Sequence, residues 1–281
     1  MSPQASLRTD QQLLLQGLVR SRSEAQRLLQ AGCIRARLPD GTTIQPKAST
    51  RLPEQTVLER TDEDAERFVS RGGLKLAGAL ARFAVPVAGR LCLDVGQSTG
   101  GFTDCLLRRG ARHVVGLDVG HGQIDPALRT DERVLVLEKI HIGHCSRAVL
   151  VEQMHTHAGL RWPGAAARVL EHGFDLVVAD LSFISQRKVL AVLAALLADD
   201  GDLVTLVKPQ FELGPGAVNK QGLVRDASRL DGLADAFGLA LAEVKLQRLG
   251  WMDSPILGGD GNREFLLHAR HRRTRQSPSH P

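Results

Sequence analysis

Seven apolar runs recur from about residue 90 onward: "RLCLDV", "HVVGLDVG", "RVLVLE", "FDLVVADLSF", "DLVTLVKP", "LQRLGWM" and "REFLLHAR". Stretches of helical length separate most of them. Runs this continuously apolar suit strands covered on both faces, and spacers of that length suit crossover helices. The alternation predicts an α/β fold on a doubly wound, mostly parallel sheet.

The runs end on charge. Asp94, Asp118, Glu138, Asp180 and Lys208 close the first five in succession, and Pro209 stops the fifth, because proline cannot donate to a sheet ladder. Lysine is seldom fully buried without a partner. In open parallel sheets ligands bind just beyond the carboxyl ends of the strands. One charged strand end is ordinary solvation, whereas five on one edge make a site.

The segment "LDVGQSTGGFTD" reads as strand, glycine-rich turn and helix start. Gly96, Gly100 and Gly101 let the backbone pass close to a ligand, and Ser98 and Thr99 offer hydroxyls. The spacing is neither that of a dinucleotide fingerprint nor that of a phosphate-cradling loop with its Lys-Ser/Thr pair. An acid opening the turn, Asp94, repels a pyrophosphate and suits a cationic ligand such as the amino-acid end of S-adenosylmethionine. Asp118, with Val119 beside it at the next strand end, is placed for ribose hydroxyls.

Methylating a hydroxyl requires the oxygen in line with the methyl group and its proton removed during attack. A lysine acts as the base only when burial or a neighbouring cation favours its free amine. Lys208 at an apolar strand end is the candidate, with Asp180 to orient it. In "SRGGLKLAGAL" the periodicity predicts a helix burying Leu74, Ala77, Leu80 and Ala81, with Lys75 on a different face. Glu264 stands near the start of the final strand. If that strand runs antiparallel, Lys75, Asp180, Lys208 and Glu264 converge.

The N-terminal segment differs in kind. "QQLLLQGLVRSRSEAQRLLQAG" predicts two short helices, the first with Leu14, Leu15 and Leu18 on one side. The second is capped by Ser21 or Ser23, carries Ala25, Leu28 and Leu29 at helical spacing, and ends at Gly32. Short strands follow, with a turn at Pro39-Asp40-Gly41. Arg20, Arg22, Arg27, Arg35 and Arg37 concentrate positive charge there, which points to phosphate contacts. The net charge of +5 is carried by this head and by the tail "HRRTRQSPSHP", a distribution suited to a polyanionic partner. With no tyrosine and ten other aromatics, a broad aromatic stacking platform is not expected, and a polyanion would be held through phosphate contacts and shape.

At 43% hydrophobic and 24% charged residues the chain builds a sizeable core, and no window approaches 18 apolar residues. Cys33, Cys92, Cys105 and Cys145 show no paired spacing, and no export signal opens the sequence, so a reducing cytoplasmic location is expected. The stretch 139–172 has five histidines, no clear period and no zinc spacing. A helical surface insertion without metal is predicted there.

"SRSEAQRLLQAG" resembles the small RNA-binding domain of the S-four type. "VSRGGLKL", "LDVGQSTGGFTDCLL", "DVGHGQI", "ADLSFIS", "LVKPQFE" and "GNREFLLH" resemble the TlyA family across nearly the whole chain. That resemblance implies an S-four-type domain (residues 1–60), an acidic linker (61–69), an FtsJ-like domain with a Rossmann-like class I methyltransferase sheet (70–270) and a disordered basic tail (271–281). It implies S-adenosylmethionine as cofactor, and ribosomal RNA or ribosomal subunits as partner, without stable membrane insertion. It also implies a Lys-Asp-Lys-Glu tetrad at Lys75, Asp180, Lys208 and Glu264 for ribose 2′-O-methylation, with Asp180 also positioning the methyl donor. Gln97 replaces a usually small residue and is expected to crowd the donor pocket. Two alternatives stay open: a non-catalytic ribosome-assembly factor and a membrane-active haemolysin.

Overall fold

The computed structural model describes residues 6–19, 21–30, 33–60, 68–158, 162, 164–214, 216–219, 222–258 and 261–272. It forms two compact units, Met1–Arg71 and Gly72–Pro281. Most of the expected acidic linker and basic tail lie outside the described residues.

In the first unit, β1 (Ser6–Arg8) pairs with β4 (Arg51–Pro53), and α1 (Thr9–Leu15) and α2 (Arg22–Gln30) lie between them in sequence. A second sheet joins β2 (Ile34–Arg37) to β3 (Thr43–Ile44) and β5 (Val57–Arg60). Ser21 Oγ caps α2 by accepting from the Glu24 amide. The β2–β3 turn places Gly41 at φ +86°, and the Asp40 carboxylate accepts from the Thr42 amide. Leu13, Ala25, Leu28, Leu29, Ile34, Ala36 and Leu58 form this unit's core. The apolar face of α1 thus centres on Leu13, and Leu15 is 74% exposed, contrary to the expected Leu14–Leu15–Leu18 face. With seven residues, α1 has two turns, too few for spacing to fix its buried side.

The second unit opens with α3 (Gly72–Arg82). It continues through β6 (Leu91–Val95), α4 (Gly101–Arg108), β7 (His113–Asp118), α5 (Pro126–Thr130) and β8 (Val134–Glu138). Next come α6 (Arg147–Ala158), α7 (Ala165–Glu171), β9 (Phe174–Ala179), α8 (Leu190–Leu196), β10 (Leu197–Val207) and α9 (Pro209–Glu212). The unit closes with α10 (Leu233–Glu243), β11 (Leu246–Asp253) and β12 (Phe265–His271). The sheet order is β11-β12-β10-β9-β6-β7-β8. Strands β6 to β10 are parallel, whereas β12 runs antiparallel to β10, and β11 antiparallel to β12. The order reverses between β6 and β9, which is where such sheets open a crevice. All five residues of β6 are buried, as a doubly covered strand requires. At the opposite edge of the sheet the buried Asp202 accepts from Arg90 and Arg270 and meets His268 Nε2 at 2.5 Å.

Two helical expectations are corrected. α3 buries Gly73, Lys75, Leu76, Ala79 and Leu80, so Lys75 sits on the buried side and Ala81 is exposed. The segment 139–172 is helical but is no surface insertion: Leu150, Met154, Trp162 and Val169 belong to the main core. All four cysteines are buried, and none is joined in a disulfide. Among the described residues no three His, Cys, Asp or Glu side chains gather as a metal site, and no helix is long and apolar enough to cross a membrane.

Candidate active site

The charged strand ends share one edge of the sheet. Asp118 and Glu138 terminate β7 and β8, Asp180 and Lys208 directly follow β9 and β10, and Asp94 is the penultimate residue of β6. A cleft of about 520 Å³ opens there, within the usual range of small-molecule sites. Gly96, Ser98, Asp118, Val119 and Asp180 line it. Asp118 Oδ2 accepts from the Ser98 amide and Oδ1 from the Gly120 amide, both at 2.7 Å, which locks the carboxylate at the rim. The glycine turn is tight for a reason. A Cβ on Gly96 would stand 2.4 Å from the Asp180 carbonyl oxygen, and its φ is +85°.

Asp94, Thr99, Gly100 and Gly101 do not line the cleft. Asp94 is wholly buried beneath the turn, where Thr103 Oγ1 donates to its Oδ2 at 2.7 Å and its Oδ1 has no partner. Burial pushes its carboxyl up to about 7; the Thr103 hydrogen bond opposes the shift, and the Asp180 and Asp118 charges reinforce it. The folded chain therefore holds a proton that the unfolded chain releases near 3.8. The contribution of Asp94 to stability should fall as pH rises from about 4 to about 7 and level off above. Asp94→Asn removes this dependence, so its stability relative to wild type should climb across that window by up to about 4 kcal/mol. A wild-type-minus-variant difference that stays flat from pH 4 to 8 in urea unfolding would refute the assignment.

Gln97 does not crowd the cleft as expected. It is 4% exposed, donates to Thr103 Oγ1 at 2.9 Å and turns into the sheet, where a Cβ on Gly116 would lie 2.0 Å from its amide. The missing side chain at residue 116 makes the space that Gln97 fills.

Two lysine–carboxylate pairs stand at the ends of neighbouring strands. Lys208 Nζ lies 2.6 Å from Asp180 Oδ1. The angles of this ion pair fall outside those of a hydrogen bond, so Oδ1 remains a buried acceptor without a hydrogen-bond donor. The amine instead meets Ser182 Oγ at 2.8 Å. Lys75 Nζ meets Glu264 Oε2 at 2.6 Å, with the side chains only 10% and 3% exposed. The last registered pair of β10 and β12 is Val207↔Phe265, which leaves Lys208 and Glu264 as the next residues of the two strands. The antiparallel course of β12 thus brings Glu264 to the same edge of the sheet as Lys208.

Several lining residues escaped the sequence reading. Ile140, His141 and Ile142 form one wall and Leu181, Ser182, Phe183 and Ile184 another. Phe183 is 91% exposed, adopts φ +65°, and packs against Phe211 with ring centroids 5.3 Å apart. A bulky residue held at positive φ and left exposed marks a strained, solvent-facing loop. The one sequence signal for it was "LSF" following a buried strand.

In the first unit Arg22 and Arg35 are exposed, and Arg37, also exposed, pairs with Glu59 at 3.0 Å. Arg35 and Arg37 share the outer face of β2. Arg20 and the side chain of Arg27 lie outside the described residues.

The model of the FtsJ-like methyltransferase family matches residues 68–271. The "16S/23S rRNA (cytidine-2'-O)-methyltransferase TlyA" of Mycobacterium tuberculosis is 43% identical, over 94% of this chain and 89% of that protein. "Hemolysin A" of Brachyspira hyodysenteriae is 32% identical over 93% of this chain and 99% of its own length. Among solved structures, "Putative hemolysin from Streptococcus thermophilus" aligns with TM-score 0.68 at 32% identity, covering 99% of this chain and 92% of that one. The protein is a methyltransferase whose cofactor is S-adenosylmethionine. Its matched domain and its identity to these relatives over more than nine-tenths of its length place the chain in the TlyA family of FtsJ-like methyltransferases.

Proposed function

We propose that this chain methylates a ribose 2′-hydroxyl of ribosomal RNA, with Lys208 as the base. The observation that carries the reading is the contact of the Lys208 amine, at 2.6 and 2.8 Å, with Asp180 and Ser182, two residues that line the cleft. The buried Lys75–Glu264 pair lies at the end of the next strand. The substrate class follows the relatives named as ribosomal RNA (cytidine-2'-O)-methyltransferases.

The lining residues fit S-adenosylmethionine. Asp118 suits the hydroxyls of its ribose, Val119, Ile140 and Ile142 give apolar walls for its adenine, and the negative charge of Asp180 suits its positive charge. When bound, the cofactor supplies a methyl group on a sulfonium, ready for attack by an oxygen. The chain supplies the rest. Lys208 Nζ takes the proton of the 2′-hydroxyl as the oxygen attacks, and Asp180 holds the ammonium that results. Lys75 and Glu264 orient the ribose beside it. Phe183, exposed at the rim, offers a face to the target base. Arg20, Arg22, Arg27, Arg35 and Arg37 grip phosphates, contacts that set register without reading sequence.

The test is to incubate purified protein with S-adenosylmethionine and ribosomal subunits and to map ribose methylation. Ribose 2′-O-methylation of ribosomal RNA is expected; methylation on a base, or none from protein that binds the cofactor, would overturn the reading. Gly96→Ala should weaken S-adenosylmethionine binding at least tenfold in calorimetry, because the added methyl drives the turn off Asp180. Unchanged affinity would show that the turn does not shape the cleft.

A further inference from the structure

The chemistry just proposed depends on a contact between two loops. Asp180 and Ser182 follow β9, Lys208 follows β10, and the parallel ladder joining these strands stops at Thr205↔Ala179. Beyond that pair no strand hydrogen bond holds the loops in register, although the Lys208–Asp180 and Lys208–Ser182 contacts need them within a few tenths of an ångström. One lysine–carboxylate contact does not by itself hold two loops so closely, since a partly solvated ion pair contributes little unless further bonds fix its geometry.

Behind the rim stands a carboxylate that the mechanism does not use. Glu212 ends α9, the short helix that starts directly after Lys208. Its side chain is 1% exposed. Its Oε1 accepts from the Gln186 amide at 2.6 Å, and its Oε2 accepts from Ser185 Oγ at 2.7 Å and from Arg187 Nε at 3.2 Å. Arg187 Nη2 also donates to the Glu212 carbonyl oxygen at 2.8 Å. Three consecutive residues of the β9 loop are thus bound by one side chain from the β10 loop. Gln186 Nε2 adds a bond to the Leu206 carbonyl at 3.2 Å, and Phe183 packs on Phe211. Burying a carboxylate is costly unless its oxygens are filled; here the donors filling them come from the segment that presents Asp180, Ser182 and Phe183.

We infer that Glu212 is a positioning residue for methyl transfer: it clamps the Asp180–Arg187 loop to the turn after Lys208, so that Asp180 and Ser182 meet the amine. It touches neither substrate nor cofactor. The inference rests on the proposed role of Lys208.

The test uses the full chain with S-adenosylmethionine and ribosomal subunits, well below the unfolding temperature of every variant. Glu212→Gln keeps the shape but loses the charge and one acceptor. Its single-turnover methylation rate should fall ten- to a hundredfold with subunit KM within twofold of wild type. Ser185→Ala, which removes one donor, should fall three- to tenfold. Each variant is then combined with Ser182→Ala. If the clamp acts through the loop presenting Ser182, the paired variants lose less than the product of the single losses. A general structural weakening would multiply instead. Folded Glu212→Gln with wild-type rate, or strictly multiplicative losses, overturns the inference. If Glu212→Gln does not fold, the Ser185→Ala and Ser182→Ala cycle decides. Lys208→Ala separates the two levels: if it retains transfer, the functional reading fails. If it is inactive while Glu212→Gln is normal, only the clamp fails.

Discussion

Lys208→Ala is expected to abolish methyl transfer while leaving the fold and RNA binding nearly unchanged. The Lys208 side chain is 12% exposed and that of its partner Asp180 22% exposed, with Asp180 Oδ1 buried. Removing the amine leaves that oxygen without its cation and should cost about 1–3 kcal/mol, short of unfolding the chain. The amine's chemical role has no substitute nearby, since Lys75 is engaged by Glu264. Positioned acid–base groups contribute roughly 10²–10⁴-fold to rate, and loss of Asp180's partner adds to that. Lys208→Arg is the sharper variant. A guanidinium keeps the positive charge and can reach Asp180, but it cannot accept a proton at ordinary pH. Transfer measured by labelled-methyl incorporation in a single turnover should be lost in both. Substantial activity in the arginine variant would make Lys208 an electrostatic anchor and remove its role as base.

Glu264→Ala should have the second largest effect, and it should be felt in stability as well as rate. The Lys75–Glu264 pair is almost wholly buried. Deleting one partner leaves an uncompensated interior charge, a change that costs about 3–5 kcal/mol. The surroundings offer little relief. A Cβ on Gly258 would stand 2.5 Å from Glu264 Oε1, and one on Gly78 of α3 would stand 3.0 Å from Pro255. The helix carrying Lys75 and the loop enclosing Glu264 are thus in close contact. Replacing both residues with apolar ones of similar length, Lys75→Met with Glu264→Leu, should restore most of the stability in denaturant unfolding without restoring methylation. A single variant as stable as wild type, or an active double variant, would contradict this account.

The sheet was legible because its signal is strong: long apolar runs, each ending on charge, at regular spacing. The position of Glu264 followed from one further condition, the antiparallel course of β12, which short-range pattern does not fix. Other features were not legible. The residues of α6 show almost no amphipathic period because the apolar Ala148 and Val149 lie outside the buried stripe of Leu150, Val151 and Met154. The buried side of α3 went astray because alanines and glycines on every side of that helix leave spacing ambiguous. The direction of Gln97 depends on a glycine 19 positions later in a different strand, at Gly116. Glu212 lies in the segment that was read for its lysine and its proline. Its partners are 25 to 27 residues upstream, and nothing local announces a buried carboxylate.

The fit between Gln97 and Gly116 carries an evolutionary consequence. Residue 116 is the dependent position: a methyl group there requires the Gln97 amide to move away or residue 97 to be shortened beforehand. Conversely, shrinking 97 first leaves a hole that permits a larger neighbour. The order of historical substitutions at this spot is therefore constrained to one direction.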